Sequence, residues 1–258
     1  MRPAHSSSEH VSTEQRIEHA PDSVPHDASV FLFKDMPLRV CVQSKVDHAG
    51  TVVGLEALTR TVNNASVPGD FFRNAEENGT IHELTTEVLR AVCEEVAHID
   101  PDDAVPISVN VSPTELTHQF LDTIQAVLTD TGADPALLEL EITEGHPIHA
   151  KQASILKELC DMNFHIALDD FGTGHATAAA LQKLKEAGVR VQTVKLDQEL
   201  VRNGTAPAVA EQLLNEGYRV VAEGIETLDD CEKLPERCIL QGYITGKPVA
   251  AHTFFTKK

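Results

Sequence analysis

Residues 38–58 read LRVCVQSKVDHAGTVVGLEAL: two β-rich runs, Leu38 to Val46 and Thr51 to Leu58, parted only by Asp47-His48-Ala49-Gly50. So short a gap permits a hairpin and forbids a parallel crossover, which needs a dozen residues or more. Downstream the pattern changes to strand, helix, strand. Candidate strands are Ile107 to Val111, Leu137 to Ile142, His165 to Asp169, Val191 to Leu196, Arg219 to Ala222 and Ile239 to Leu240. Between them lie helical stretches such as Ile81 to Val96, Thr114 to Leu128, Ile148 to Cys160 and Ala208 to Glu216. These six strands and the two of the hairpin make eight, the number that closes an α/β barrel. The expected fold is a modified (β/α)8, TIM-like barrel whose first strand runs antiparallel to its neighbours.

Length agrees: 258 residues is close to the ~250 typical of such barrels. Met1 to Val30 is rich in Ser, His, Glu and Pro and lacks a sustained apolar period, so residues 1–30 read as a disordered leader and 31–258 as a single barrel domain. The histidines of that leader, His5, His10, His19 and His26, are spaced too irregularly for a metal site, and a solvated tail is the reading.

Lys+Arg 21 against Asp+Glu 40 leaves a net charge of −19, with aromatics at 4%. That balance argues against a nucleic-acid polymer as partner, which needs clustered cations and stacking rings. The five cysteines, Cys41, Cys93, Cys160, Cys231 and Cys238, are odd in number and form no C-x-x-C pair, which fits a reducing compartment. Without an apolar signal region at the start or a long apolar run later, no membrane partner is expected, and the expected location is the cytoplasm.

Each candidate strand ends in a polar residue that a purely structural barrel would not require: Glu56, Asn110, Glu141, Asp169 with Asp170, Lys195, Glu223 and Gln241. In a (β/α)8 barrel the carboxyl ends of the strands converge on one face. Carboxylates crowded there cannot all ionise without compensation. Hard divalent cations supply it, and oxygen ligation by Asp, Glu and Asn suits Mg2+ or Mn2+ better than zinc. Each residue also has a plainer reading. Glu56 could sit in a structural ion pair; Asp169-Asp170 could be a turn that caps a helix, and Asn110 a strand end. Lys195 could pair with Asp197 or Glu223, and Glu141 to Glu144 could be a strand edge leading to a cap.

Taken together, Gly54-Leu-Glu-Ala-Leu-Thr-Arg60, Val109-Asn-Val-Ser112, Glu141-Ile-Thr-Glu144, Asp169-Asp-Phe-Gly-Thr-Gly174, Lys195-Leu-Asp197, Ala222-Glu-Gly-Ile-Glu-Thr227 and Gln241-Gly-Tyr243 occur in the order of the EAL-domain family, which the chain resembles from about Leu38 to Ala250. The resemblance implies a phosphodiesterase that opens cyclic di-GMP to linear pGpG with two bound Mg2+ or Mn2+ ions. By that resemblance Glu56, Asn110, Glu141 and Asp169 hold one metal; Asp169 bridges to a second held with Asp170 and Glu223. Lys195 orients the attacking water, and Glu56, Lys195 and Glu223 form the catalytic set. Gln43, Arg60 and Gln241 contact substrate, and Glu144 steadies the loop after Asp170. A homodimer through that loop is a further family trait.

The chain departs from the family at four places. It has Gln43-Ser44-Lys45 where Gln-Pro-Ile is usual, a short Thr61 to Val67 segment without the customary Trp, a longer stretch from Asp170 to Lys195 containing His175-Ala-Thr-Ala-Ala-Ala, and a shorter stretch from Glu223 to Gln241. Two rival functions remain at this stage: a regulatory module that binds cyclic di-GMP or a protein without hydrolysis, and a metalloenzyme acting on another phosphodiester.

Overall fold

A computed structural model describes residues 29–62, 67, 70–97, 99 and 104–255. Its strands are β1 (Val30–Phe33), β2 (Met36–Val46), β3 (Val52–Thr61), β4 (Ile107–Val111), β5 (Leu138–Ile142), β6 (His165–Phe171), β7 (Val191–Leu196), β8 (Arg219–Ala222), β9 (Ile239–Leu240) and β10 (Val249–Ala250). The helices are α1 (Phe71–Glu77), α2 (Ile81–Val96), α3 (His118–Thr131), α4 (Ala150–Asp161), α5 (Ala178–Glu186), α6 (Gln198–Arg202), α7 (Ala206–Asn215), α8 (Leu228–Lys233) and α9 (Ala251–Phe255).

The hairpin forms where the sequence places it. Asp47 Oδ1 accepts hydrogen bonds from the backbone N–H groups of Ala49 at 2.9 Å and Thr51 at 2.8 Å, and Gly50 takes the left-handed turn position at φ +83°. From β3 to β9 every neighbouring pair is parallel. The barrel closes through β2, antiparallel to β3 on one side and to β9 on the other, where Val46 pairs with Leu240. The two-residue β9 covers one end only of the eleven-residue β2. The rest of that edge is taken by β10, at Val42 and Cys41, and by β1, at Met36 to Arg39.

Several sequence-based boundaries shift. Val30 belongs to β1, so the leader does not extend to it; the remainder of the expected leader, residues 1–28 with their histidines, lies outside the described residues. The helix expected from Thr114 to Leu128 is a short 3-10 turn, Pro113–Glu115, followed by α3. Two caps split it: Ser112 Oγ accepts from Thr114 N at 3.3 Å and Thr117 Oγ1 from Phe120 N at 3.3 Å. Leu137 ends another such turn, so β5 begins at Leu138.

Strand side chains alternate between the two faces of the barrel wall. Leu138, Leu140 and Ile142 point outward and pack with Leu84, Phe120 and Ile124 of the surrounding helices. Val194, Leu196 and Val220 do the same against Ala210 and Leu213 of α7. The alternate positions face inward: Ser108 and Asn110 on β4, Glu139 and Glu141 on β5, Thr193 and Lys195 on β7. This barrel is apolar outside its wall and polar within it.

Candidate active site

Lys195 is 1% exposed, and its Nζ stands 2.7 Å from Glu223 Oε1, 2.8 Å from Glu141 Oε2, 2.9 Å from Asp169 Oδ1 and 3.6 Å from Glu56 Oε2. Burial disfavours its charged form, but Asp169, Glu141, Glu56 and Glu223 outweigh that and hold the lysine well above its ordinary range. It is therefore a permanent cation and hydrogen-bond donor. Of its two plainer partners only Glu223 is observed; Asp197 instead caps α6, its Oδ1 accepting from Glu199 N at 2.6 Å.

Glu56 is not a simple ion-pair partner. Its Oε1 accepts from Asn110 Nδ2 at 3.0 Å and its Oε2 from Gln241 Nε2. Burial raises its pKa against the pull of Lys195, and burial raises that of Asp169 in the same way. Asp170 does not cap a helix: α5 begins eight residues later, at Ala178, with Thr177 as its cap, and Asp170 sits at a left-handed φ of +48°. That turn faces it toward Glu223. One carboxylate oxygen each of Asp169, Asp170 and Glu223 lies within 4.8 Å of the other two. Burial, with Asp169 and Glu144 close by, pushes Asp170 up to about 7. Burial together with Asp169 and Glu56 pushes Glu223 up to about 8 despite Lys195. Negative charge here exceeds what the lysine balances, and the donors are oxygens, so the residues fit a hard divalent cation.

The sequence matches the EAL domain profile over residues 32–248. The chain belongs to the EAL-domain family. It is 37% identical over 225 residues to a protein of Caulobacter vibrioides named an uncharacterized signaling protein, covering 80% of this chain and 27% of that one. It is 28% identical over 229 residues to the cyclic di-GMP phosphodiesterase PdeL of Escherichia coli, covering 81% of this chain and 62% of that one. Among solved structures, the PaMucR phosphodiesterase in complex with c-di-GMP superposes with a TM-score of 0.73 at 27% identity, over 84% of this chain and 94% of that one. The chain spans about a third of the length of the first curated relatives it matches, 27% and 36% in two cases.

In this EAL chain Glu56, Asp170 and Glu223 border a cavity of about 770 Å³ that Gln43, Arg60 and Gln241 also line, while Asp169, Glu141 and Lys195 lie behind its wall. Gln43 lies opposite Glu56 in the hairpin register and donates to the carbonyls of Gly242 at 3.3 Å and Gly246 at 3.0 Å. It thus ties down the loop that follows Gln241. Gly242 has no room for a side chain, since a Cβ there would come 2.1 Å from the Ile225 carbonyl oxygen. Arg60 is folded back on Thr59 O at 2.8 Å. Glu144 meets the loop after Asp170 with both backbone and side chain: its carbonyl accepts from His175 N at 3.2 Å, and a Cβ on Gly174 would fall 2.8 Å from its Cγ.

Sequence reasoning missed two interior residues. Glu139 accepts from Thr193 Oγ1 at 2.6 Å, and Lys45 Nζ reaches Glu139 at 3.1 Å and Glu141 at 2.6 Å. The signal was the spacing: Glu139 is two residues before Glu141 and so shares its face. No helix among the described residues is long and apolar enough to cross a membrane.

Proposed function

We propose that this chain hydrolyses cyclic di-GMP to linear pGpG by in-line attack of water, in the presence of two divalent cations, Mg2+ or Mn2+. The observation that carries the reading is the Asp169, Asp170 and Glu223 triad, its oxygens within 4.8 Å, set beside the buried Lys195, with Asp170 and Glu223 on the wall of a large cavity. The names of its relatives support the substrate: PdeL and PdeR of E. coli are cyclic di-GMP phosphodiesterases. When bound, paired cations supply charge stabilisation to the attacking and leaving oxygens of the displacement.

The chain's own residues supply the rest. Glu56, Asn110, Glu141 and Asp169 would hold one cation, and Asp169, Asp170 and Glu223 the other. Lys195 stays protonated, so it orients the water and offsets charge at phosphorus without acting as a base. Glu223, like Glu56 and Asp170 at the cavity wall, can accept the water's proton. Arg60, Gln43 and Gln241 line the same cavity and position the phosphate and the loop above it. Glu144 steadies the loop after Asp170. A cytoplasmic setting, one domain from Val30 onward and a dimer through the 172–177 loop complete the proposal; light scattering of the purified chain reads the last.

The test is incubation of the chain with cyclic di-GMP and Mg2+ or Mn2+, following nucleotides by chromatography beside Glu56→Ala. Appearance of pGpG with the parent and its absence with the folded variant is the expected outcome. Intact cyclic di-GMP that co-elutes with the parent would identify a receptor instead, and equal turnover by Glu56→Ala would overturn the site.

A further inference from the structure

Lys45 is the second buried lysine of the barrel, 2% exposed, and it enters from the strand antiparallel to all the others. An ammonium has three hydrogens to place, and here each has a partner: Ser108 Oγ at 2.8 Å, Glu139 Oε1 at 3.1 Å and Glu141 Oε1 at 2.6 Å. The partners are themselves held. Ser108 Oγ donates on to Leu55 O at 3.2 Å, and Glu139 Oε2 accepts from Thr193 Oγ1 at 2.6 Å. Glu141, fully buried, is thereby gripped at both oxygens, by Lys45 from β2 and by Lys195 at 2.8 Å from β7. Each oxygen keeps a further lone pair for a cation.

We propose that Lys45 is a positioning residue: it fixes the rotamer of Glu141 and, through it, both a cation-holding oxygen and the place of Lys195. The inference rests on the metal-dependent reading above. Groups that orient a metal ligand from behind are worth about 10–100-fold in affinity or activity when removed. The competing view is that Lys45 only neutralises Glu139 and has no bearing on the site.

The deciding variants are Lys45→Met and Lys45→Met/Glu139→Gln in the full chain. Mn2+ affinity is read by titration calorimetry without nucleotide, alongside kcat, KM and thermal melting. Positioning requires Mn2+ binding at least about tenfold weaker in Lys45→Met, with kcat reduced to a similar degree and KM for cyclic di-GMP within about twofold. The double variant, which leaves no unpaired Glu139 charge, recovers melting temperature while retaining the weak Mn2+ binding. Recovery of parental Mn2+ affinity and kcat in the double variant, or their retention in Lys45→Met, overturns the proposal. Where Lys45→Met does not fold, the double variant alone decides in the same way. If the parent makes no pGpG, the phosphodiesterase reading falls separately, and the Mn2+ titrations still judge Lys45.

Discussion

Glu141 and Glu115 are both almost wholly buried, at 0% and 3% exposure, yet their carboxyls lie at opposite ends of the range. Burial pushes Glu141 upward, but Lys195 and Lys45 outweigh it and hold it at about 2. Burial pushes Glu115 upward too, and only the Thr85 hydroxyl at 2.9 Å and the Ser112 N–H at 3.4 Å oppose it, so it stands at about 7. Neutral donors soften the cost of burying a carboxylate, whereas two ammoniums together reverse it at Glu141; Lys195 alone, shared among four carboxylates, leaves Glu223 at about 8. The barrel interior keeps its carboxylate ionised because two strands bring lysines to it. The turn after β4 makes no such provision.

The largest effect comes from removing the cation that the interior carboxylates share. Lys195→Met leaves Asp169 and Glu223 without their close partner and takes away a donor at the reacting centre. We expect kcat to fall by roughly 10²–10³, the cost typical of losing one such donor, measured as pGpG formed per folded molecule. Activity within tenfold of the parent would break the contrast, because Glu141 would then need no lysine at the cavity end.

The back of the same strand sharpens it. Leu140, between Glu139 and Glu141, points out to the helices and is 0% exposed. Leu140→Ala opens a cavity in an apolar layer and should cost about 2–5 kcal/mol in denaturant unfolding. Turnover of the molecules that remain folded should change by less than about twofold, since no charge has moved. A tenfold loss in fully folded protein would show that the two faces of β5 are not separable.

Much of this was legible in the sequence, for physical reasons. A polar residue at the carboxyl end of each strand of a barrel has one place to go, which marked Glu141 and Lys195, whereas the alternation along LELEI that also turns Glu139 inward went unused. The hairpin followed from a gap too short for a crossover. What escaped notice depends on tertiary partners. β1 turns at Lys34 and Asp35 with φ of +48° and +63°, a left-handed pair that Lys34 does not advertise and that lacks the usual glycine. β10 is two residues long and exists only because β9 leaves β2 uncovered. Lys45 looked like a family departure within an apolar strand; its meaning appears once β4 and β5 bring Ser108, Glu139 and Glu141 across the barrel. Glu115 read as a residue of a helix that the Thr117 cap in fact interrupts.

The smallest expected effect tests the other half of the comparison. A carboxyl raised from 4.5 in the unfolded chain to about 7 in the fold binds its proton more tightly when folded. Its contribution to stability is therefore fully present below about pH 4.5 and is lost as the pH rises through about 7. Over that window Glu115 alone should reduce folding stability by up to about 3 kcal/mol, at 1.36 kcal/mol per unit. Glu115→Gln keeps an acceptor for Thr85 Oγ1 and Ser112 N but cannot ionise. The variant should match the parent near pH 4.5 and exceed it at pH 8, by an amount set by the burial of Glu115. Because Asp170 and Glu223 titrate in both proteins, the difference between the two unfolding curves isolates this one group. A difference that does not grow between pH 4.5 and 8 would mean that Glu115 is ionised in the fold without a cation, and that burial is not what separates it from Glu141.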